Sequence, residues 1–246
     1  MRIDSHIWMV GSGWLGHSLS HRLDCSIYLV GGPERAVLID AGCGLGSDLV
    51  LENVERAGIE PGAIDQVVLT HAHPDHAAGA TSLAAATGAE VLASAAVASI
   101  LREGDEMAAG LTAARRAGIY PAELALAPTD VGVIRDGSSW ELPGGVLSAV
   151  ATPGHAAGHL CFALTAARQV SIFTGDLVFA RGRAAVLATP DADARALHSS
   201  IRRVAALAPE RLLPGHGELV LSGAAHHLGV ALTAFEDEQL PPGLSA

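Results

Sequence analysis

The sequence predicts an α+β protein with two sheets and outer helices. Three observations predict it. Short apolar runs of strand type recur in both halves of the 246-residue chain, and helix-like segments alternate with them. Four of these runs end on a turn that carries a histidine or an aspartate. The composition, 50% hydrophobic, is enough for a sizeable core, and no segment reaches the ~18 consecutive apolar residues of a membrane-spanning helix.

The elements follow in order. Ile3 to Val10 reads as a first strand, and Ile27 to Val30 with Ala36 to Ile39 as a hairpin about Gly31-Gly32-Pro33. Between them lies a glycine-rich loop from Gly11 to Ser18. It either hangs over a cleft or is a surface loop anchored by Trp14. Ser47 is placed to cap a helix running to about Ala57, with Gly58 as its stop. Gln66 to Leu69 is a strand, Asp75 to Thr87 a helix ended by Gly88, and Val91 to Ala93 a strand. Helices are expected at Ala95 to Leu101 and Asp105 to Gly118. Further strands are Val131 to Ile134, Ser139 to Leu142, Val146 to Ala151, Leu160 to Leu164, Val170 to Phe173 and Arg211 to Leu213. Helices cover Asp191 to Leu207 and Gly223 to Glu238, and Pro241-Pro242-Gly243 is a tail. Composition marks no internal boundary, so one domain over 1–246 is expected.

The formal net charge of −11 argues against nonspecific binding to nucleic acid or to an anionic membrane surface, since both attract basic patches. The N-terminus has no apolar run of secretory type. Cys25, Cys43 and Cys161 are odd in number and widely spaced, as expected of reduced, buried thiols in the cytoplasm. A small-molecule substrate is the expected partner, and a homodimer is compatible with the sequence.

The chemistry concentrates in Thr70-His71-Ala72-His73-Pro74-Asp75-His76, on a strand-to-helix turn. Pro74 suits the first turn of a helix, where its missing N–H is not needed. Three imidazoles and one carboxylate within six residues are unfavourable as core, because each needs a polar partner. A metal supplies that partner: zinc takes histidine nitrogen at ~2.0–2.1 Å and carboxylate oxygen at ~2.0–2.2 Å. Thr152-Pro153-Gly154-His155, Thr174-Gly175-Asp176 and Pro214-Gly215-His216-Gly217 each place one further metal-competent side chain just past a strand end. Glycine at those turns allows close backbone approach.

His71-Ala72-His73-Pro74-Asp75-His76 resembles the HxHxDH signature of the metallo-β-lactamase-fold superfamily. His155, Asp176 and His216 match its later ligand motifs in order, and Asp40 matches its early strand-end aspartate. The resemblance runs from about Ile27 to His216. It implies an αββα four-layer sandwich with the metal site at one edge. It places His71, His73 and His155 on a first metal, Asp75, His76 and His216 on a second, and Asp176 between the two. Two Zn2+ per chain are implied, with Fe or Mn also accepted by such ligands. A hydroxide shared by the metals is the implied nucleophile, Asp75 its orienting group, and Asp40 the partner that fixes a ligand imidazole.

Within the superfamily the resemblance is to the glyoxalase II-like branch. True metallo-β-lactamases generally lack the bridging aspartate, which is present here as Asp176. One type of acyl-homoserine lactonase carries tyrosine three residues later, where this chain has Phe179. Glyoxalase II continues into a helical region that holds glutathione, whereas 30 residues follow His216 here, acidic at Glu236, Asp237 and Glu238. This speaks against a glutathione thioester and leaves residues 95–128 as the expected substrate wall. The implied activity is hydrolysis of a small ester, thioester or lactone. The alternatives are a mononuclear-iron persulfide dioxygenase, whose arginine-rich signature Arg181-Gly182-Arg183 only begins to match, and a β-lactam hydrolase. His159 is expected to support the site rather than touch substrate. His17 and His21 are expected at the surface, and of His226 and His227 one exposed and one packed. Arg181 and Arg183 either meet an anionic substrate or lie on a solvated loop.

Overall fold

The computed structural model describes residues 1–167, 169–186, 189, 191–236, 240–241 and 243. The sequence-predicted end of the last helix at Glu238, and Pro242 of the tail, lie outside them. Two compact units are formed, Met1–Ile134 with Leu142–Gly144, and Arg135–Glu141 with Gly145–Ala246.

The first unit is a six-stranded sheet in sequence order: β1 (Ile7–Gly11), β2 (Ile27–Gly32), β3 (Arg35–Ile39), β4 (Ile64–Val68), β5 (Glu90–Ala93) and β6 (Gly132–Val133). Strands β1 to β3 pair antiparallel, as a tight hairpin allows. From β3 onward the pairing is parallel, which demands helical crossovers. These are α1 (Ser47–Arg56), then α2 (Pro74–Ala77) with α3 (Ala80–Thr87), then α4 (Ala95–Glu103) with α5 (Leu111–Arg116). Val50 and Val54 of α1, Leu83 of α3 and Val97, Ala98 and Leu101 of α4 join Leu29, Leu38 and Val67 of the sheet in one buried cluster. Successive residues of β2 are all buried, so this sheet is covered on both faces.

The second unit is a five-stranded sheet, ordered β11 (Arg211–Pro214), β10 (Gln169–Gly175), β9 (Leu160–Ala166), β8 (Gly145–Ala151), β7 (Ser139–Leu142). Strands β8 to β10 form an antiparallel meander, and β11 adds parallel to β10. The crossover between β10 and β11 is α6 (Ala194–Ala205). The cap of α6 is Asp193, whose side chain accepts the N–H of Arg195 and Ala196. Leu197, Ile201 and Val204 of α6 and Leu228 and Ala231 of α7 (Ala224–Glu236) pack with Ile172 and Leu212 of the sheet. Two sheets, each with its own helices, bear out the α+β expectation.

Several expected elements are corrected. The first strand starts at Ile7 rather than Ile3, because the N–H groups of Ile3 and Asp4 both turn back onto Ile7 O. Ser47 does not cap α1: Gly46 occupies the cap, and the Ser47 hydroxyl donates to Gly44 O. The helix expected over Asp75 to Thr87 is two helices. They break at Gly79, whose N–H donates to Gly42 O and where a Cβ would lie 2.1 Å from Ala41 O. The helix expected from Asp105 starts only at Leu111. The carboxylate of Asp105 takes the N–H of Met107 and Ala108 in a turn instead, and Gly110 at φ +77° separates that turn from α5.

Candidate metal centre

In the first unit, β4 delivers the chain into the histidine motif, and Leu69 N–H holds the turn on Leu92 O. His73 is extended (φ −60°, ψ 143°) and Pro74 opens α2, as the sequence predicts. His71 and His76 are fully buried. Asp40 closes β3 at φ +64° and is itself buried. Its carboxylate accepts the Thr70 N–H at 2.8 Å, the Thr70 hydroxyl at 2.9–3.0 Å and His76 Nδ1 at 2.8 Å. The Thr70 hydroxyl has one proton and gives it to Asp40, so its oxygen accepts from His71 Nδ1 at 2.9 Å. Both imidazoles therefore carry their proton on Nδ1 and keep the Nε2 lone pair. His71 Nε2 faces His73 Nδ1 at 2.9 Å, and His76 Nε2 faces Asp75 Oδ2 at 3.9 Å. Cys25 lies beneath, hydrogen-bonded to His76. Burial pushes its thiol up to about 12, against the lowering effect of that imidazole.

The second unit repeats the device at three strand ends. His155 follows β8, Asp176 follows β10 and His216 follows β11. Gly154 sits at φ +136° with its α-carbon against the backbone of Leu197, where a Cβ would meet Leu197 N at 2.2 Å. No other residue fits there, so the His155 turn is seated on α6. Gly215 N–H donates to Gly175 O at 2.8 Å and aligns the other two turns. All three side chains are buried. Asp176 Oδ2 lies 3.7 Å from His155 Nε2 and 3.7 Å from His216 Nε2. That is too long for hydrogen bonds. Two ligand atoms held at ~2.1 Å with a tetrahedral angle stand ~3.4 Å apart, so the spacing suits ions between them. His155 Nδ1 donates to Ala185 O at 2.8 Å, again leaving Nε2 for a ligand role.

The seven expected ligands thus form two groups: His71, His73, Asp75 and His76 in one unit, and His155, Asp176 and His216 in the other. The donor chemistry fits divalent metal: nitrogen and carboxylate oxygen only, with the far nitrogens of His71, His76 and His155 bonded to the protein.

A protein-family model, the metallo-beta-lactamase superfamily, matches residues 22–216. The chain belongs to that superfamily. A hydroxyacylglutathione hydrolase of Acidiphilium cryptum is 34% identical over 197 residues, spanning 77% of this superfamily member and 67% of the relative. The thioesterase pkgB of Emericella nidulans is 29% identical over 197 residues, spanning 79% of this chain and 46% of its own. The chain therefore covers about half to two thirds of the length of these relatives. Among solved structures, a HARLDQ-motif mutant of a metallo-β-lactamase from Cronobacter sakazakii superposes with a TM-score of 0.70 at 26% identity, covering 97% of this chain and 95% of that one. The fold is the metallo-β-lactamase fold, as the sequence resemblance implies.

Beyond the expected ligands, His159 is buried. Its Nδ1 meets Thr152 Oγ1 at 2.9 Å, and its Nε2 accepts the N–H of Asp176 at 3.3 Å. Phe179 is buried with its ring 6.4 Å from that of His216. His226 is exposed, whereas His227 is half-buried and accepts the Arg181 N–H at 2.7 Å. The Arg181 side chain pairs with Glu218 in solvent. His17 is exposed as expected, but His21 is half-buried and 3.2 Å from Cys43 Sγ. Trp14 is 68% exposed and anchors nothing; backbone bonds from Gly13 to Asp24 and from Trp14 to Arg22 hold that loop. Thr70, as the hub between Asp40 and His71, is the residue that sequence reasoning left without a role. Its place directly before the first histidine was the available signal.

Proposed function

We propose that this chain is a dinuclear metal-dependent hydrolase of a small ester, thioester or lactone. The observation that carries the reading is Asp176, whose one oxygen stands at equal distance from two histidine nitrogens. His71, His73 and His155 would hold one ion, Asp75, His76 and His216 the other, and Asp176 would serve both. When bound, two divalent ions lower the pKa of water toward ~7 and polarise a carbonyl. Zinc is the ion we favour, because imidazole with carboxylate suits it.

The protein's own groups do the rest. Asp40 and Thr70 hold His76 and His71 with their Nε2 lone pairs presented. Ala185 O does the same for His155. Asp75, partly exposed beside His76, accepts the proton of the attacking water at a carboxylate oxygen and returns it to the leaving group. Buried His159 fixes the Asp176 backbone, and so the direction of its side chain.

A thioester is the favoured bond, since relatives carry the names hydroxyacylglutathione hydrolase and thioesterase. Asp176 disfavours a β-lactam, on the family pattern that true β-lactamases generally lack it. A reducing compartment, the cytoplasm, suits the three free, buried cysteines. Among the described residues no helix is long and apolar enough to cross a membrane. The test is metal content per chain followed by a panel of thioesters, lactones and aryl esters. About two ions and turnover on one class support the reading. One iron with oxygen uptake on a persulfide overturns it in favour of the dioxygenase.

A further inference from the structure

We infer that the first unit carries a separate thiolate metal site formed by His21, Asp24 and Cys43, suited to a thiophilic divalent cation such as zinc, cadmium or cobalt. One ligand atom of each residue lies within 4.8 Å of the others. None of the three belongs to the histidine motif.

Two short loops build the site. In the first, Asp24 N–H closes a turn onto His21 O at 2.9 Å. In the second, Gly42 at φ +70° lets the backbone lie against the carboxylate, where a Cβ would meet Asp24 Oδ1 at 2.7 Å. The two loops are locked together by the Cys43 N–H, which donates to Asp24 Oδ1 at 2.8 Å. Asp24 Oδ2 accepts the Ser20 hydroxyl at 2.6 Å and the His21 N–H at 3.0 Å. The carboxylate is thus fixed by three donors before any ion arrives.

The remaining donors face one another. Cys43 Sγ lies 3.2 Å from His21 Nδ1. Zinc bonds of ~2.3 Å to sulfur and ~2.0–2.1 Å to nitrogen at a tetrahedral angle put those atoms ~3.5 Å apart, so the pair opens by only a few tenths of an ångström. Leu23 N–H also reaches Nδ1, at a long 3.3 Å, and gives up that contact on binding. Cys43 is buried and Asp24 nearly so, while half-exposed His21 leaves the side from which an ion and a fourth, water ligand enter. Burial and the Asp24 charge both raise the Cys43 thiol, a bias against the bare thiolate that a cation reverses. Binding exchanges the thiol proton, released to solvent, for a sulfur–metal bond, so affinity rises with pH.

The ligands proposed for the hydrolytic centre include no sulfur, which makes the site separately observable. Titrating the metal-freed full chain with Co2+ should give a sulfur-to-cobalt charge-transfer band in the near ultraviolet, beside the weaker visible bands of nitrogen and oxygen ligation. The band should vanish in Cys43→Ser, weaken at least tenfold at equal cobalt in His21→Gln and survive in Cys25→Ser. Cys43→Ser should keep the visible bands and the hydrolytic turnover. If Cys43→Ser fails to fold, His21→Gln decides, since it leaves the thiol in place. No band in the parent chain, or a band lost with Cys25 and kept without Cys43, overturns the inference. A missing ultraviolet band with intact visible bands refutes this site alone; an ultraviolet band in the parent with no visible band left in Cys43→Ser refutes the hydrolytic centre alone.

Discussion

Replacing Asp40 with asparagine separates the support of the metal centre from the stability of the fold. Asp40 is buried and serves three donors: Thr70 N–H, Thr70 Oγ1 and His76 Nδ1. In Asp40→Asn the amide oxygen still accepts the Thr70 N–H. The amide nitrogen then faces His76 Nδ1–H at 2.8 Å, donor against donor. His76 relieves this by moving its proton to Nε2, which removes the lone pair that would bind metal. Loss of such an orienting partner typically lowers metal affinity 10–100-fold, which is about 1.4–2.7 kcal/mol. The exchange of a charge-assisted bond for a neutral one destabilises the metal-free chain by about 1–2 kcal/mol. Asp40→Ala is harsher: it takes the acceptor from all three buried donors, at about 1–3 kcal/mol each. It also places alanine at φ +64°, which alanine tolerates poorly.

Competition against a chromophoric chelator gives the affinity, and urea unfolding of the metal-free chain gives the stability. The expected result is a folded Asp40→Asn chain with metal affinity down 10–100-fold. Parent-like affinity would refute the reasoning. So would an affinity loss that appears only in the fraction of chains already unfolded.

Three further outcomes are expected. Asp176→Asn should lower turnover by two orders of magnitude or more, read as kcat on the best substrate, while circular dichroism stays that of the parent. Gly79→Ala should destabilise by about 1–3 kcal/mol in urea unfolding, because its Cβ would meet Ala41 O at 2.1 Å between α2 and α3. Hydrogen bonds from Arg203, then from Ala151 N–H, hold the Asp136 carboxyl below its ordinary value. A carboxyl with a depressed native pKa contributes stability above its unfolded value and loses it as pH falls through the native one. The urea midpoint of the parent should therefore drop more from about pH 5 to about pH 3 than that of Asp136→Asn.

Both sheets were legible because their strands are buried runs of β-branched, aliphatic and aromatic residues, such as Val67 and Val68 or Ile172 and Phe173. The candidate ligands were legible because the histidine motif, His155, Asp176 and His216 each follow a strand, and the last three each stand next to a glycine that a turn explains. What escaped depends on groups distant in sequence. Nothing near Gly79 announces the carbonyl of Ala41 that splits α2 from α3. His21 looked like a surface residue because Cys43, 22 positions away, is its partner. Gly110 looked like helix interior, yet its backbone lies against His73, with a Cβ position 3.7 Å from that ring. Propensity sees none of these approaches, since each is made by the tertiary fold.

The burial of the candidate ligands also sets how a metal should couple to folding. Asp176 and the imidazoles of His155 and His216 are buried, and Asp176 Oδ2 stands 3.7 Å from the Nε2 atom of each. Bound metal favours the folded chain, since the unfolded chain cannot assemble the ligands. At a free zinc concentration ~1,000 times the dissociation constant, one site adds about 4.1 kcal/mol. Asp176→Asn should therefore gain less stability from zinc than the parent gains. The two gains would be read from thermal melts with chelator and with zinc. Equal gains would mean that Asp176 does not bind the metal, whatever its effect on turnover. A purely structural Asp176 would weaken the variant by the same amount under both conditions, so the difference in gain tests the ligand role without recourse to any substrate.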